Sequence, residues 1–178
     1  MATSVLILPG YQGSGKEHWQ THWEEHHSDF ERIEQRDWNH PICHEWIANI
    51  EKAVQSAGDD VIIVAHSIGC LSVAHWAASA HSPIKGALIV APPDPKCPIF
   101  PTIAEGFEQT PMKPFDFPSI IIASSNDPYA SVDYSQALAD AWGSRFINVG
   151  EKGHINMASN LGLWEEGLTF LEQLQNIK

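Results

Sequence analysis

Val61-Ile62-Ile63-Val64-Ala65-His66-Ser67-Ile68-Gly69-Cys70 decides how the rest of the chain is read. The opening run of Val and Ile is the pattern of a strand buried on both faces. Beyond it, Cys70, Leu71, Val73, Ala74, Trp76, Ala77 and Ala78 carry a helical pattern to about Ala80. Between strand and helix stands Ser67, two residues from Ala65 and two from Gly69. A sharp turn there lifts the hydroxyl above the carboxyl edge of a sheet and aims the following N–H groups at whatever the oxygen meets. The turn brings strand and helix so close that positions two away on either side must be small. Gly69 meets that need fully and Ala65 nearly so, a departure from the Gly-x-Ser-x-Gly pattern. Taken alone, Ser67 is also an ordinary helix cap.

At 178 residues with 43% hydrophobic content, the chain reads as one domain, 1–178, with a core of its own. The apolar runs are strand-sized, and none spans a membrane. The amino-terminal Met-Ala-Thr-Ser lacks a charged leader, and Val5–Leu8 is too short for a signal segment, so a cytoplasmic location is expected. Cys43, Cys70 and Cys97 are odd in number and widely spaced, which fits reduced thiols. A formal charge of −12 repels phosphate backbones and anionic lipid, which argues against nucleic-acid and membrane partners.

Outward from Ser67, strands and helices alternate. Val5–Leu8 reads as a buried strand, Glu17 to Asp29 as a helix carrying Trp19 and Trp23, and Glu31 to Asp37 as a polar edge strand. Cys43 to Ala57 has Trp46, Ile47, Ile50 and Val54 at helical spacing and is stopped by Gly58. Ile84 to Val90, Ser119 to Ala123 and Arg145 to Val149 are the remaining strands, with helices at Val132 to Trp142 and Leu161 to Gln175. Ala91 to Pro118 holds eight of the twelve prolines and reads as a long irregular excursion with one helical turn near Ile103. Its Phe100, Phe107, Phe115 and Phe117 either line an apolar pocket or pin the loop to the body. The alternation predicts a parallel sheet covered on both faces, with ligands at the carboxyl ends of the strands.

That edge collects chemistry. A serine hydroxyl attacks only when a base takes its proton, and the base needs a carboxylate to hold its tautomer. Asp127 follows the fifth strand and His154 the sixth, giving the order Ser67, Asp127, His154. Asp94, after the fourth strand, is a rival acid. His66 is set aside because a sharp turn points adjacent side chains apart. An oxyanion hole needs two donors. The N–H of Ile68 supplies one, and a residue near Tyr11, reached through the sharp bend Gly10 allows, supplies the other.

Three other readings compete. Gly10-Tyr11-Gln12-Gly13-Ser14-Gly15-Lys16 matches G-x-x-x-x-G-K, the outline of a phosphate-binding loop, but Glu17 stands where Ser or Thr should hold Mg²⁺. His18, His22 and His26 recur at four-residue spacing and could present a zinc face, though no carboxylate base sits between them. A hydrolase-type sheet can also persist as an inactive binding module.

Ser67, Asp127 and His154 in this order resemble the α/β-hydrolase superfamily. Together with the short length, Pro9-Gly10-Tyr11-Gln12-Gly13-Ser14 and His18-Trp19 resemble the small serine hydrolases related to retinoblastoma-binding protein nine and its bacterial relatives. The resemblance runs over nearly the whole chain. It implies a three-layer α/β/α sandwich on a six-stranded, mainly parallel sheet, a minimal hydrolase fold without a large cap. It implies a shallow site for small esters or amides, with Gly10 and Trp19 against the substrate and Trp19 near the site entrance. No metal or organic cofactor is required by this chemistry. The Leu-x-Cys-x-Glu element of the vertebrate member is absent, which puts pocket-protein binding out of reach.

Overall fold

Six short strands, the inner four made mostly of aliphatic residues, form one sheet in the computed structural model, which describes residues 3–79 and 81–177. They are β1 (Ser4–Leu8), β2 (Phe30–Arg32), β3 (Val61–His66), β4 (Gly86–Val90), β5 (Ser119–Ala123) and β6 (Arg145–Asn148). Their order across the sheet is β2-β1-β3-β4-β5-β6, and every pairing is parallel. Among the described residues five α-helices complete the frame: α1 (Trp19–His26), α2 (Cys43–Ala57), α3 (Ile68–Ala77), α4 (Val132–Trp142) and α5 (Glu165–Gln175).

Side chains alternate across each strand, so each face of the sheet has its own core. On one face Leu6, Leu8, Ile63, Ala65, Ala87 and Ile89 meet Ile50 and Val54 of α2, Val73 and Trp76 of α3, and Leu138 and Trp142 of α4. On the other, Val5, Ile7, Ile62, Val64, Leu88 and Val90 meet Trp19 and Trp23 of α1 and Trp164, Leu171 and Leu174 around α5. The result is the three-layer α/β/α sandwich of a minimal α/β-hydrolase fold. β3, β4 and β5 are buried along their whole length, and α3 buries nine of its ten residues, which explains its apolar surface all round.

β1 has β2 on one side and β3 on the other. The chain therefore reverses direction across the sheet between β1 and β3, and a crevice opens there at the carboxyl ends of the strands. The loops after β1 and β3 flank it.

Several boundaries differ from the sequence reading for local reasons. α1 starts at Trp19 because His18 caps it, its Nδ1 accepting the Gln20 N–H at 3.2 Å. β2 is cut to three residues; after Arg32 the chain leaves the sheet. α3 ends at Ala77, and Ala80, its expected end, lies outside the described residues. α5 begins at Glu165, because Trp164 takes a left-handed conformation (φ 43°) over Gly167, where a side chain would collide with the indole. Near Ile103 there is a single hydrogen-bonded turn, Ala104 N–H to Pro101 O at 3.1 Å, and no helix. Glu105 instead pairs with Ile42 in an isolated parallel bridge, which stitches the proline-rich loop to the start of α2.

Candidate active site

Ser67 sits at the apex of the turn with φ 55° and ψ −127°, a conformation a non-glycine residue rarely adopts and that costs about 1–3 kcal/mol. Its backbone is held on both sides: its N–H donates to Val90 O at 3.0 Å, and its C=O accepts from Cys70 N–H at 2.8 Å. Its side chain makes no capping hydrogen bond. A Cβ at Gly69 would lie 2.7 Å from Leu8 O and 2.8 Å from Pro9 O, so only glycine fits. Ala65 is fully buried, and its methyl is accommodated in the core.

The Ser67 hydroxyl meets His154. The Oγ to Nε2 distance is 2.8 Å, and Nδ1 of the same ring lies 2.9 Å from each oxygen of Asp127. Carboxylate oxygens only accept, so Nδ1 carries its hydrogen toward Asp127 and Nε2 is left to accept from the serine O–H. The Asp127 side chain is 3% exposed, and its Oδ1 also accepts the Tyr129 N–H at 2.9 Å. Asp94, the rival acid, has no bond to His154 among the described residues; its Oδ1 accepts the Lys96 N–H.

The two loops that carry Asp127 and His154 are bonded to each other. Asn126 Oδ1 accepts the Gly153 N–H at 2.7 Å, Ser124 Oγ accepts the Lys152 N–H at 2.9 Å, and Ser125 N–H donates to Gly150 O at 2.8 Å. The Tyr129 ring packs on the His154 ring, with centroids 4.3 Å apart. None of these supports was picked out from sequence. The polar run Ser124-Ser125-Asn126 at the end of an apolar strand was the available signal.

On the other side lies the β1–α1 loop. A Cβ at Gly10 would fall 2.7 Å from Ser67 Cβ and 3.3 Å from Ile68 N, so this backbone lies directly against the serine. The N–H groups of Tyr11 and Ile68 have no acceptor among the described residues. The loop is fixed from behind. Gln20, fully buried, accepts from Ser14 Oγ and donates to Leu8 O and Val64 O. Arg32, paired with Glu24, donates to Gly13 O at 2.7 Å, and Thr21 Oγ1 donates to Ser14 O at 2.7 Å. This arrangement does not make a phosphate loop. Lys16 and Glu17 lie exposed in a turn ahead of α1, whereas a phosphate cradle needs the glycine-lysine step to run straight into the helix.

A cavity of about 350 Å³ opens over Ser67 and His154. Tyr11, Ile68, Phe100, Tyr129 and Met157 give it apolar walls, and no Lys, Arg, Asp or Glu side chain lines it. Trp19 is not among its walls, contrary to the place at the entrance that the family likeness implied. Its ring is 1% exposed, packed against Trp23 and Trp164, and its Nε1–H donates to Ile155 O at 2.8 Å. Trp19 thus anchors the residue after His154 from inside the core. Of the four loop phenylalanines, Phe100 lines the cavity. Phe107 packs with Trp46, Ile68 and Leu71, while Phe115 and Phe117 stack beside Trp142.

His66, set aside from sequence, belongs to this region. Its ring is buried and lines the cavity, and its Nε2–H donates to the His154 carbonyl at 2.9 Å. Burial pushes its pKa well below the usual value and lowers that of His18 to about 3. His18, His22 and His26 do not converge: His18 faces the cavity, while His26 Nδ1 meets His22 O. Among the described residues no three His, Cys, Asp or Glu side chains are grouped as metal ligands would be. Burial also raises the Cys43 thiol to about 12 and the Cys70 thiol well above its usual value, which leaves both inert. No helix among the described residues is long and apolar enough to cross a membrane.

Comparison with known proteins agrees with this fold. A YdeN-like hydrolase from Pectobacterium atrosepticum is 32% identical, with a TM-score of 0.86 over 98% of this chain and 91% of that one. The ydeN gene product of B. subtilis is 18% identical, with a TM-score of 0.83 over 97% and 98%. The esterase domain of a Rhodothermus marinus protein shares the fold at 12% identity, with a TM-score of 0.71 over 98% and 88%. No curated protein matches the sequence. The model of the family described as serine hydrolase matches residues 5–173, from the first strand into the last helix, and the chain belongs to that family.

Proposed function

We propose that the protein hydrolyses small, uncharged carboxylic esters, and activated amides more slowly, through a covalent acyl-enzyme on Ser67. The observation that carries this reading is the continuous hydrogen-bonded line Asp127–His154–Ser67, with contacts of 2.9 and 2.8 Å, opening into a cavity. Ser67 Oγ attacks the carbonyl carbon while its proton passes to His154 Nε2. The developing oxyanion lies between the N–H groups of Ile68 and Tyr11, which are without protein acceptors and backed by a rigid loop. The tetrahedral species collapses as His154 returns the proton to the departing alcohol. Water, deprotonated by the same nitrogen, then releases the acid and restores the serine. Asp127 holds the imidazole in the required tautomer and stabilises its charged form.

The substrate class follows from the walls. A cavity without ionic side chains in a chain of net charge −12 favours a neutral ester over a carboxylate, phosphate or ammonium. The three free cysteines suit the reducing cytoplasm. The test is turnover of a p-nitrophenyl ester by Ser67→Ala. A fall of about 10⁶-fold in kcat is expected if the three residues act as a unit. Undiminished turnover would rule the mechanism out.

A further inference from the structure

We propose that His18 and His66 form a subsite that binds a hydroxyl group on the acyl half of the substrate. The proposal rests on the serine hydrolase reading and names its substrate more narrowly. Both imidazoles line the cavity beside Ser67, at 3% and 4% exposure, with ring centroids 4.7 Å apart in an edge-on arrangement.

The position of each proton follows from what each ring already touches. His18 Nδ1 receives the Gln20 N–H. A backbone N–H can only donate, so Nδ1 is bare and the proton of the neutral ring is on Nε2. That Nε2–H is buried and has no partner. His66 is the reverse case. Its Nε2 faces the His154 carbonyl, which can only accept, so the proton is on Nε2 and Nδ1 is bare. Nδ1 has no partner among the described residues. Neighbouring rings in the cavity wall therefore offer one unpaired donor and one unpaired acceptor.

Buried unpaired donors are uncommon in folded proteins, and an orphan beside a reactive serine calls for a ligand. Burial keeps both rings uncharged at neutral pH. A carboxylate would find one donor and no cation. A carbonyl would satisfy only His18. A hydroxyl both accepts and donates, and it satisfies the pair together. The half of the substrate is set by the loops. In the proposed mechanism the acyl carbonyl oxygen meets the Tyr11 N–H, and His18 belongs to the same β1–α1 loop. A hydroxyl met by His18 therefore lies on the acyl group.

The test compares kcat/KM for ethyl butyrate, ethyl 2-hydroxybutyrate and ethyl 3-hydroxybutyrate, read by a pH indicator. Wild type should prefer one hydroxy ester over ethyl butyrate by about tenfold or more, since a site built to hydrogen-bond a hydroxyl discriminates against its absence. His18→Asn keeps an oxygen able to cap Gln20 but removes the facing donor, and should bring that ratio to about one. His18→Gln serves as a second variant, and labelling of Ser67 by a fluorophosphonate reports whether either variant retains its site. A wild-type enzyme without the preference, or a preference that survives in a labelled variant, overturns the subsite. If wild type neither labels nor turns over any of the three esters, the hydrolase reading falls first and the subsite with it.

Discussion

Gly10→Ala tests how tightly the β1–α1 loop is pressed against the serine. Gly10 has an ordinary backbone conformation, so the substitution introduces no twist of its own. The difficulty is space. The new methyl would lie 2.7 Å from Ser67 Cβ, 2.9 Å from His66 O and 3.3 Å from Ile68 N, where ordinary contact begins at 3.4 Å. None of these atoms is the free end of a flexible side chain. The backbone on one side must give way, and roughly 1 Å of movement at a reacting centre costs about 10²-fold in rate. Overpacking should also cost about 1–3 kcal/mol, or roughly 2–4 °C in Tm per kcal/mol for a chain of this size. The assay is steady-state hydrolysis of a p-nitrophenyl ester beside a thermal melt. The expected result is a large loss of kcat with a folded protein only modestly less stable. A kcat within about threefold of wild type would refute the placement of this loop.

Two further expectations follow. Asp127→Asn leaves the shape of the site but removes the charge that fixes the His154 tautomer, and kcat should fall by about 10⁴-fold while the melt moves little; a loss under tenfold would separate Asp127 from the chemistry. Acid should destabilise the protein through its buried histidines. His18, His66 and His75 titrate at ordinary values near 6.5 when unfolded but far lower or lower when folded, because burial disfavours the charged ring. Below 6.5 the unfolded chain therefore binds more protons, and stability falls as pH falls. Tm should drop steadily from pH 6.5 toward 4, with a shallower slope in His75→Gln; a flat profile would contradict it.

What the sequence made legible was whatever depends on near neighbours. α2 and α4 come out residue for residue, because Gly58 and Gly143 end them and Ser131 caps the second through Tyr134 N–H. β5 does too, bounded by Pro118 and a polar run. Ser67, Asp127 and His154 could be found because each follows a strand end, and parallel strands gather those ends at one edge. What stayed hidden depends on distant contacts. Trp19, placed at the site entrance by the family likeness, lies in the core because Trp164, just ahead of α5, packs against it. His66, expected to point away from Ser67, lines the same cavity, and the backbone of residue 154 arrives to meet it, 88 positions along the chain. Gln20 gives no sign in the sequence that it joins β1 to β3 beneath the site.

The central claim is that one hydroxyl in this chain is an activated nucleophile. Incubating the protein with a fluorophosphonate probe and locating the adduct by mass spectrometry tests it directly. The account predicts a single adduct on the peptide that carries Ser67, blocked by a competing ester and lost in His154→Ala. An adduct on another residue, or none on folded protein, would contradict it.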